Sequence, residues 1–417
     1  MHQVNVGRKT LADYRSIVPK ELMAEIDQLA AGLKGRRVLH VNATAFGGGV
    51  AEILYTLVPL VNDAGLEAEW QVITAPPEFF NVTKSFHNGL QGHSVDFPKE
   101  SQELYEQVCR DNAAALSHFY DFVVIHDPQP LAIRDFVTRS QDRSTWWIWR
   151  CHIDTSTPDR GLYDYLLPSI NRYDAAVYTL QDYVPEGLTV PVRAIAPTID
   201  PLAPKNMKLA PEDAAYIVRQ FGIDVDRPLV LQVSRFDPWK DPLGVVDVYR
   251  KVKESHPGLQ LALVGSMASD DPEGWEYLEK VLDYVGEDPD VFVLSNIDNV
   301  GSVEINAFQS HADVIVQKST REGFGLTVTE ALWKARPTIG GNVGGIPLQI
   351  TDGVDGYLVD SVATCAERCL QVLADPEKHH RMALIGKEKV RREFLTPRLL
   401  RDDLRLFTDL LAGKIQS

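Results

Sequence analysis

The chain has 417 residues, of which 44% are hydrophobic and 24% charged. These are the proportions of a folded globular protein with room for roughly two to three domains, so disordered and fibrous classes are excluded. Acidic residues outnumber basic ones by 58 to 42, a formal charge of −16; this repels phosphate backbones and anionic lipid, so neither nucleic acid nor a membrane is an expected partner.

The N-terminal segment, Met-His-Gln-Val-Asn-Val-Gly-Arg-Lys, has no apolar export signal. No apolar run approaches the roughly 20 residues of a membrane span. A cytoplasmic location is therefore expected. Cys109, Cys151, Cys365 and Cys369 are too few and too scattered for a disulfide framework or a zinc finger. Cys365 and Cys369 can share a helix face, but no His or Asp cluster accompanies them, so no metal site is expected.

Residues 1–35 are polar, with Leu22, Ile26, Leu29 and Leu33 at helical spacing. From residue 36 short β-rich runs alternate with helical stretches. Val38–Val41 is the first expected strand, followed by a Gly-rich turn and an apolar-faced helix over 50–63. Further strands are expected at Trp70–Ile73, Phe122–Ile125, Trp146–Trp149, Ala175–Tyr178 and Val192–Ile195. Such alternation predicts an α/β domain with a mostly parallel sheet.

Pro197, Pro201, Pro204, Pro211 and Pro228 interrupt that rhythm. They read as an interdomain crossing followed by one helix. The pattern then restarts, with strands expected at Leu229–Val233, Gln260–Val264, Val291–Leu294, Val314–Gln317, Pro337–Ile339 and Tyr357–Val359. The last ~60 residues read as helical. The simplest account is two successive doubly wound domains, 1–198 and 199–394, with a final helix at about 395–417 packing back on the first.

Three segments could carry chemistry. Gly47, Gly48 and Gly49 follow an expected strand and open an expected helix. They suit close backbone approach to an anion, or simply a tight turn. They match neither the dinucleotide fingerprint nor the P-loop. Ser234-Arg235-Phe236-Asp237-Pro238-Trp239-Lys240 ends the first strand of the second domain. Ligands bind at such carboxyl ends, and Arg235 and Lys240 can converge on a diphosphate. Glu322-Gly323-Phe324-Gly325-Leu326 follows Val314–Gln317. Its glycines allow a sharp bend, and the helix behind it presents free amides. Glu322 lies in the loop, and Glu330 is expected about two turns into the helix. The macrodipole alone would explain Glu322 but not Glu330. In the first domain, His126-Asp127-Pro128 and Arg150-Cys151-His152-Ile153-Asp154 end two strands, placing polar groups at the same kind of edge.

The triple glycine, the Arg-x₄-Lys pair and Glu-x₇-Glu together resemble the retaining GT-B glycosyltransferases of family 4, the sucrose-synthase and glycogen-synthase-like group. The stretches His40–Leu54, Phe79–Gly92, His126–Pro130 and Trp149–Asp154 resemble the trehalose glycosyltransferring synthases in particular. This resemblance implies a GT-B fold, two Rossmann-like domains facing a central cleft. It implies transfer of glucose from a nucleoside-diphosphate glucose to free glucose, reversibly giving α,α-trehalose. Arg235 and Lys240 then match the pair that binds the donor diphosphate. Glu322 matches the residue beside the donor sugar hydroxyls, and Glu330 the one holding the ribose. His152 matches a histidine near the donor sugar, and Asp127 an acidic residue near the acceptor. Gly47, Gly48, Gly49, Gly323, Phe324, Gly325 and Leu326 would line the donor. No metal or cofactor is required on this reading, with magnesium at most stimulatory, and a homodimer is expected. UDP-glucose and ADP-glucose remain alternative donors. A trehalose phosphorylase, a sucrose-type synthase and a non-catalytic sugar-nucleotide-binding regulator remain alternative functions.

Overall fold

The computed structural model describes residues 1–414 apart from 47, 117, 138–143 and 268–271. It divides into two compact units. One holds Met1–Thr198 with Thr396–Ser417, the other Ile199–Leu395.

Among its described residues the first unit has seven strands: β1 (His2–Gln3), β2 (Arg37–Asn42), β3 (Glu67–Val72), β4 (Phe122–His126), β5 (Trp146–Arg150), β6 (Ala175–Tyr178) and β7 (Val192–Ala194). Their order is β1-β3-β2-β4-β5-β6-β7. Only β1 runs antiparallel, against β3; the other pairs are parallel. Strands β4 and β6 are buried at every position, which is why they read as continuous apolar runs. The chain winds outward from β2 to β3, then returns to place β4 on the other side of β2. The carboxyl ends of β2 and β4 therefore form a topological switch point, where open α/β sheets bind ligands.

Leu22, Met23, Ile26, Ala30 and Leu33 form the buried face of the helix Lys20–Leu33. Leu29, expected on that face, is only half-buried. The last helix, Thr396–Leu411, packs on this unit. Phe407 stacks on Phe122 with ring centroids 4.3 Å apart, a contact type worth about 0.5–1.5 kcal/mol beyond its buried area. Asp403 of the same helix pairs with buried Arg150 at 3.1 Å.

Among its described residues the second unit holds six parallel strands: β8 (Leu229–Val233), β9 (Gln260–Val264), β10 (Val291–Leu294), β11 (Val314–Gln317), β12 (Thr338–Gly341) and β13 (Tyr357–Val359). Their order, β10-β9-β8-β11-β12-β13, puts a second switch point between β8 and β11. Apolar layers cover the sheet. One is centred on Tyr249, Leu261 and Cys369, the other on Leu231, Ala262 and Phe308. Two doubly wound sheets were expected, and two are observed. Among the described residues no helix is long and apolar enough to cross a membrane.

Candidate active site

The expected site residues fall in both units, and in each several of them stand at the carboxyl ends of the strands that flank its switch point. In the second unit β8 leads into Ser234 and Arg235. Asp237 then caps the short turn Pro238–Lys240, its Oδ1 accepting from the amides of Trp239 and Lys240 at 2.9 and 3.1 Å. This cap fixes the spacing between the two cations. Arg235 keeps 67% of its side chain exposed, with Asp237 Oδ2 at 3.5 Å. Lys240 is mostly buried, and its Nζ donates to Glu322 Oε2 at 2.8 Å.

Glu322 comes from the loop after β11, so the two motifs meet only because β8 and β11 are neighbours. Ser319 Oγ adds a second donor to the same carboxylate oxygen at 3.2 Å. The bend that follows needs glycine. Gly325 has φ +85° and caps the helix Leu326–Trp333. A Cβ on neighbouring Gly345 would stand 2.7 Å from the Phe324 Cα. The loop of Gly323, Phe324 and Gly325 is thereby held from behind, and the first amides of the helix, beginning at Leu326, are oriented for an anion.

Glu330 is the fifth residue of that helix, little more than one turn in rather than two. The left-handed Gly325 delays the helix start, and this shortens the distance. Glu330 is 1% exposed. It pairs with Lys205 at 3.1 Å and accepts from Gln309 at 3.4 Å. Lys334, one turn on, donates to Asn206 Oδ1 at 3.1 Å, and burial pushes its ammonium down to about 7 against the opposing pull of Glu330.

In the first unit Gly48 has φ +87° and caps the helix Gly49–Asp63, a conformation that a side chain would strain. Gly47 lies outside the described residues. Asp127 follows β4 with φ 63°, unusual for a residue with a Cβ. Three bonds hold it there: its Oδ1 accepts the His152 amide at 2.8 Å, its carbonyl accepts Trp149 Nε1–H at 3.0 Å, and its own amide donates to the Arg150 carbonyl at 2.9 Å. Burial pushes the Asp127 carboxyl up to about 7, against the lowering effect of that amide and of Arg150. Asp127 and His152 are therefore one linked structure.

His152 continues into a chain of imidazoles. His126 Nδ1 lies 3.0 Å from His152 Nε2, and His40 Nδ1 lies 3.1 Å from His126 Nε2. Burial, aided by the Arg150 charge, holds His40 at about 3 and His152 well below the usual range. For His126 the neighbouring histidines add to burial. All three rings are neutral at physiological pH.

Several neighbouring groups are not legible in the sequence. Lys318, at the end of β11, is 7% exposed and pairs with Asp241; Lys205 is equally unremarkable in sequence. Neither stands in a motif, and buried cations look like surface ones until their partners are known. His126 is legible in sequence as a polar group at a strand end, and His40 stands near the carboxyl end of β2, but the contact between them is not legible. Phe86, in the stretch Phe79–Gly92, is fully buried against Phe97 and Tyr105, so it serves the core. Among the described residues no cluster of His, Cys, Asp or Glu could hold a metal ion.

Residues 40–185 match the family model described as trehalose synthase, N-terminal domain, and residues 214–389 match that of glycosyl transferases group 1. The chain is 59% identical over 415 residues to a trehalose synthase of Rubrobacter xylanophilus, covering 99% of both chains. It is 48% identical over 392 residues to a trehalose synthase of Pyrococcus horikoshii, covering 93% and 94%. Among solved structures, a sucrose-phosphate synthase from Thermosynechococcus elongatus superposes with a TM-score of 0.69 at 18% identity, covering 91% of this chain and all of that one. That likeness concerns the fold, which is GT-B as expected. The chain belongs to the trehalose synthase family of glycosyltransferases.

Proposed function

We propose that this enzyme transfers glucose, with retention, from a nucleoside-diphosphate glucose to free glucose, forming α,α-trehalose. The observation that carries the donor assignment is the Lys240–Glu322 contact of 2.8 Å beside exposed Arg235. A glycosyl donor breaks into an oxocarbenium-like sugar and a diphosphate, and charge develops on the leaving oxygen. Fixed cations and helix amides at that point stabilise the transition state without reorganising. Lys240 is fixed by Glu322, and the amides beginning at Leu326 are fixed by the Gly325 bend. Arg235 supplies a planar fork for phosphate oxygens. Glu322 and Glu330 would accept from sugar and ribose hydroxyls.

Free glucose fits the acceptor role better than a sugar phosphate. A phosphate brings about two negative charges and needs dedicated cations. Arg150 is the one cation in the strand-end loops 126–130 and 150–154, and its guanidinium is occupied. It is 4% exposed, bonded to Asp403 at 3.1 Å and to the Ile195 carbonyl at 3.5 Å.

Asp127 is not the nucleophile of a double displacement on this reading, because its matched role is on the acceptor side. Same-face attack is favoured, with the acceptor hydroxyl passing its proton to the departing phosphate. The test is NMR product analysis after incubation with ¹³C-labelled glucose and each of several nucleoside-diphosphate glucoses. α,α-Trehalose carrying one label is expected. Product formed only from glucose 1-phosphate, with release of inorganic phosphate, would replace this reading by a phosphorylase.

A further inference from the structure

His40, His126 and His152 come from β2, β4 and the loop after β5. Sheet register explains why they meet. His40 pairs with Val124, two residues before His126, and His126 pairs with Arg150, two residues before His152. Two residues along a strand is one side-chain period, so the three rings stand on one face. The His126 and His152 rings are nearly parallel, 13° apart with centroids at 5.3 Å.

A neutral imidazole carries one N–H and one lone pair. Three of them in series must all donate in the same direction. If the series runs outward, His40 Nδ1–H donates to His126 Nε2, and His126 Nδ1–H donates to His152 Nε2. If it runs inward, every proton sits on Nε2.

The far end decides between them. His40 Nε2 is buried and has no hydrogen-bond partner among the described residues. In the inward arrangement it would be an orphaned N–H. In the outward one it is only an unused lone pair. Orphaned buried N–H groups are the rarer defect, and leaving a buried donor unpaired costs about 1–3 kcal/mol.

We infer that His40 and His126 are positioning residues that lock His152 in its Nδ1–H form, so that His152 presents a hydrogen-bond donor to an oxygen of the sugar substrate. No protein partner takes up His152 Nδ1 among the described residues. The three rings are held neutral, so His152 offers a dipole rather than a charge. A neutral donor suits a sugar hydroxyl and adds no affinity for free phosphate. The inference rests on the placement of His152 at the substrate.

The test uses ¹⁵N-histidine-labelled protein and long-range ¹H–¹⁵N spectra, which report which ring nitrogen carries the proton. Single His variants assign the signals. The Nδ1–H form is expected at His40, His126 and His152, although free imidazole side chains favour the other. His152 found as Nε2–H overturns the inference. Kinetics supply a second arm. His40→Asn places an amide N–H where Nδ1–H was, whereas His40→Leu supplies none. His40→Leu should lower kcat roughly tenfold, the worth of about one hydrogen bond, and His40→Asn should recover most of it. Equal activity of the two variants would make His40 a packing residue and overturn its positioning role. If His152→Ala keeps wild-type kcat/KM while the spectra show the expected tautomers, the substrate placement of His152 fails and the chain polarity stands.

Discussion

Lys240 Nζ lies 2.8 Å from Glu322 Oε2, so the cation assigned to the donor diphosphate is held by the carboxylate assigned to the donor sugar. The two residues are 82 positions apart and meet because β8 and β11 are adjacent. On the proposed assignment, this contact would make diphosphate binding and sugar reading a single unit. Replacing Lys240 with Met should therefore disturb both. Loss of one charged transition-state contact typically costs 10²–10³ in rate, and that range is expected for kcat in Lys240→Met. Arg235→Ala should lose a similar factor with an unchanged melting temperature, because Arg235 is largely exposed. Steady-state kinetics beside thermal melts check both. More than about half of wild-type turnover in either variant would remove that residue from the site.

Glu330 gives a different signature. A ribose is held alike before and during transfer, so losing its partner raises KM and spares kcat. Glu330→Gln should raise the donor KM with kcat little changed. Either variant should in addition lower stability, Glu330→Ala by roughly 3 kcal/mol, because each removes the buried carboxylate that pairs with Lys205 at 3.1 Å. Denaturant unfolding with donor titrations separates the effects. A collapse of kcat at constant KM in Glu330→Gln would assign Glu330 to chemistry.

The neutral histidines predict acid sensitivity. Below about pH 6.5 the unfolded chain protonates His40, His126 and His152 and the folded chain does not. The unfolded state then binds more protons, so stability falls as pH drops. Asp127 and Asp403, raised by burial to about 7 and about 6, bind protons in the folded state and oppose this. They do so in wild type and variant alike, so the difference between proteins is the readout. His126→Phe removes one imidazole. Its deficit relative to wild type should shrink below pH 6.5 by up to about 1.4 kcal/mol per pH unit. Urea unfolding at pH 7.5, 6.5 and 5.5 measures it. Parallel curves would mean that His126 is protonated in the fold.

Chelation should leave substantial activity if Arg235, Lys240 and helix amides, as proposed, supply the positive charge that a metal would otherwise bring. Assays with and without EDTA check this. Complete loss restored by magnesium would contradict it, and mild stimulation would not.

Much of this architecture could be read from sequence. Parallel strands buried on both faces are short apolar runs, so the expected Leu229–Val233, Gln260–Val264 and Ala175–Tyr178 coincide with β8, β9 and β6. β1 could not be read, since His2–Gln3 is an exposed two-residue edge with no pattern. Pro337–Ile339 came out as Thr338–Gly341, because Gly340 and Gly341 fit where a side chain would collide with Ile346 and with the Ser319 backbone. The motifs around Arg235, Lys240 and Glu322 were visible because each stands in a recognisable stretch. The imidazole chain and the Lys205–Glu330 pair were not, because they exist only through sheet order and packing between distant segments.

The proposed acceptor is free glucose. With one nucleoside-diphosphate glucose as donor, kcat/KM for glucose and for glucose 6-phosphate should be compared directly. Arg150 is committed to Asp403, and a second phosphate would be desolvated without compensation. Glucose is predicted to be the better substrate by at least about tenfold, a difference of roughly 1.4 kcal/mol. A clear preference for glucose 6-phosphate would contradict the account and make this chain a sugar-phosphate synthase.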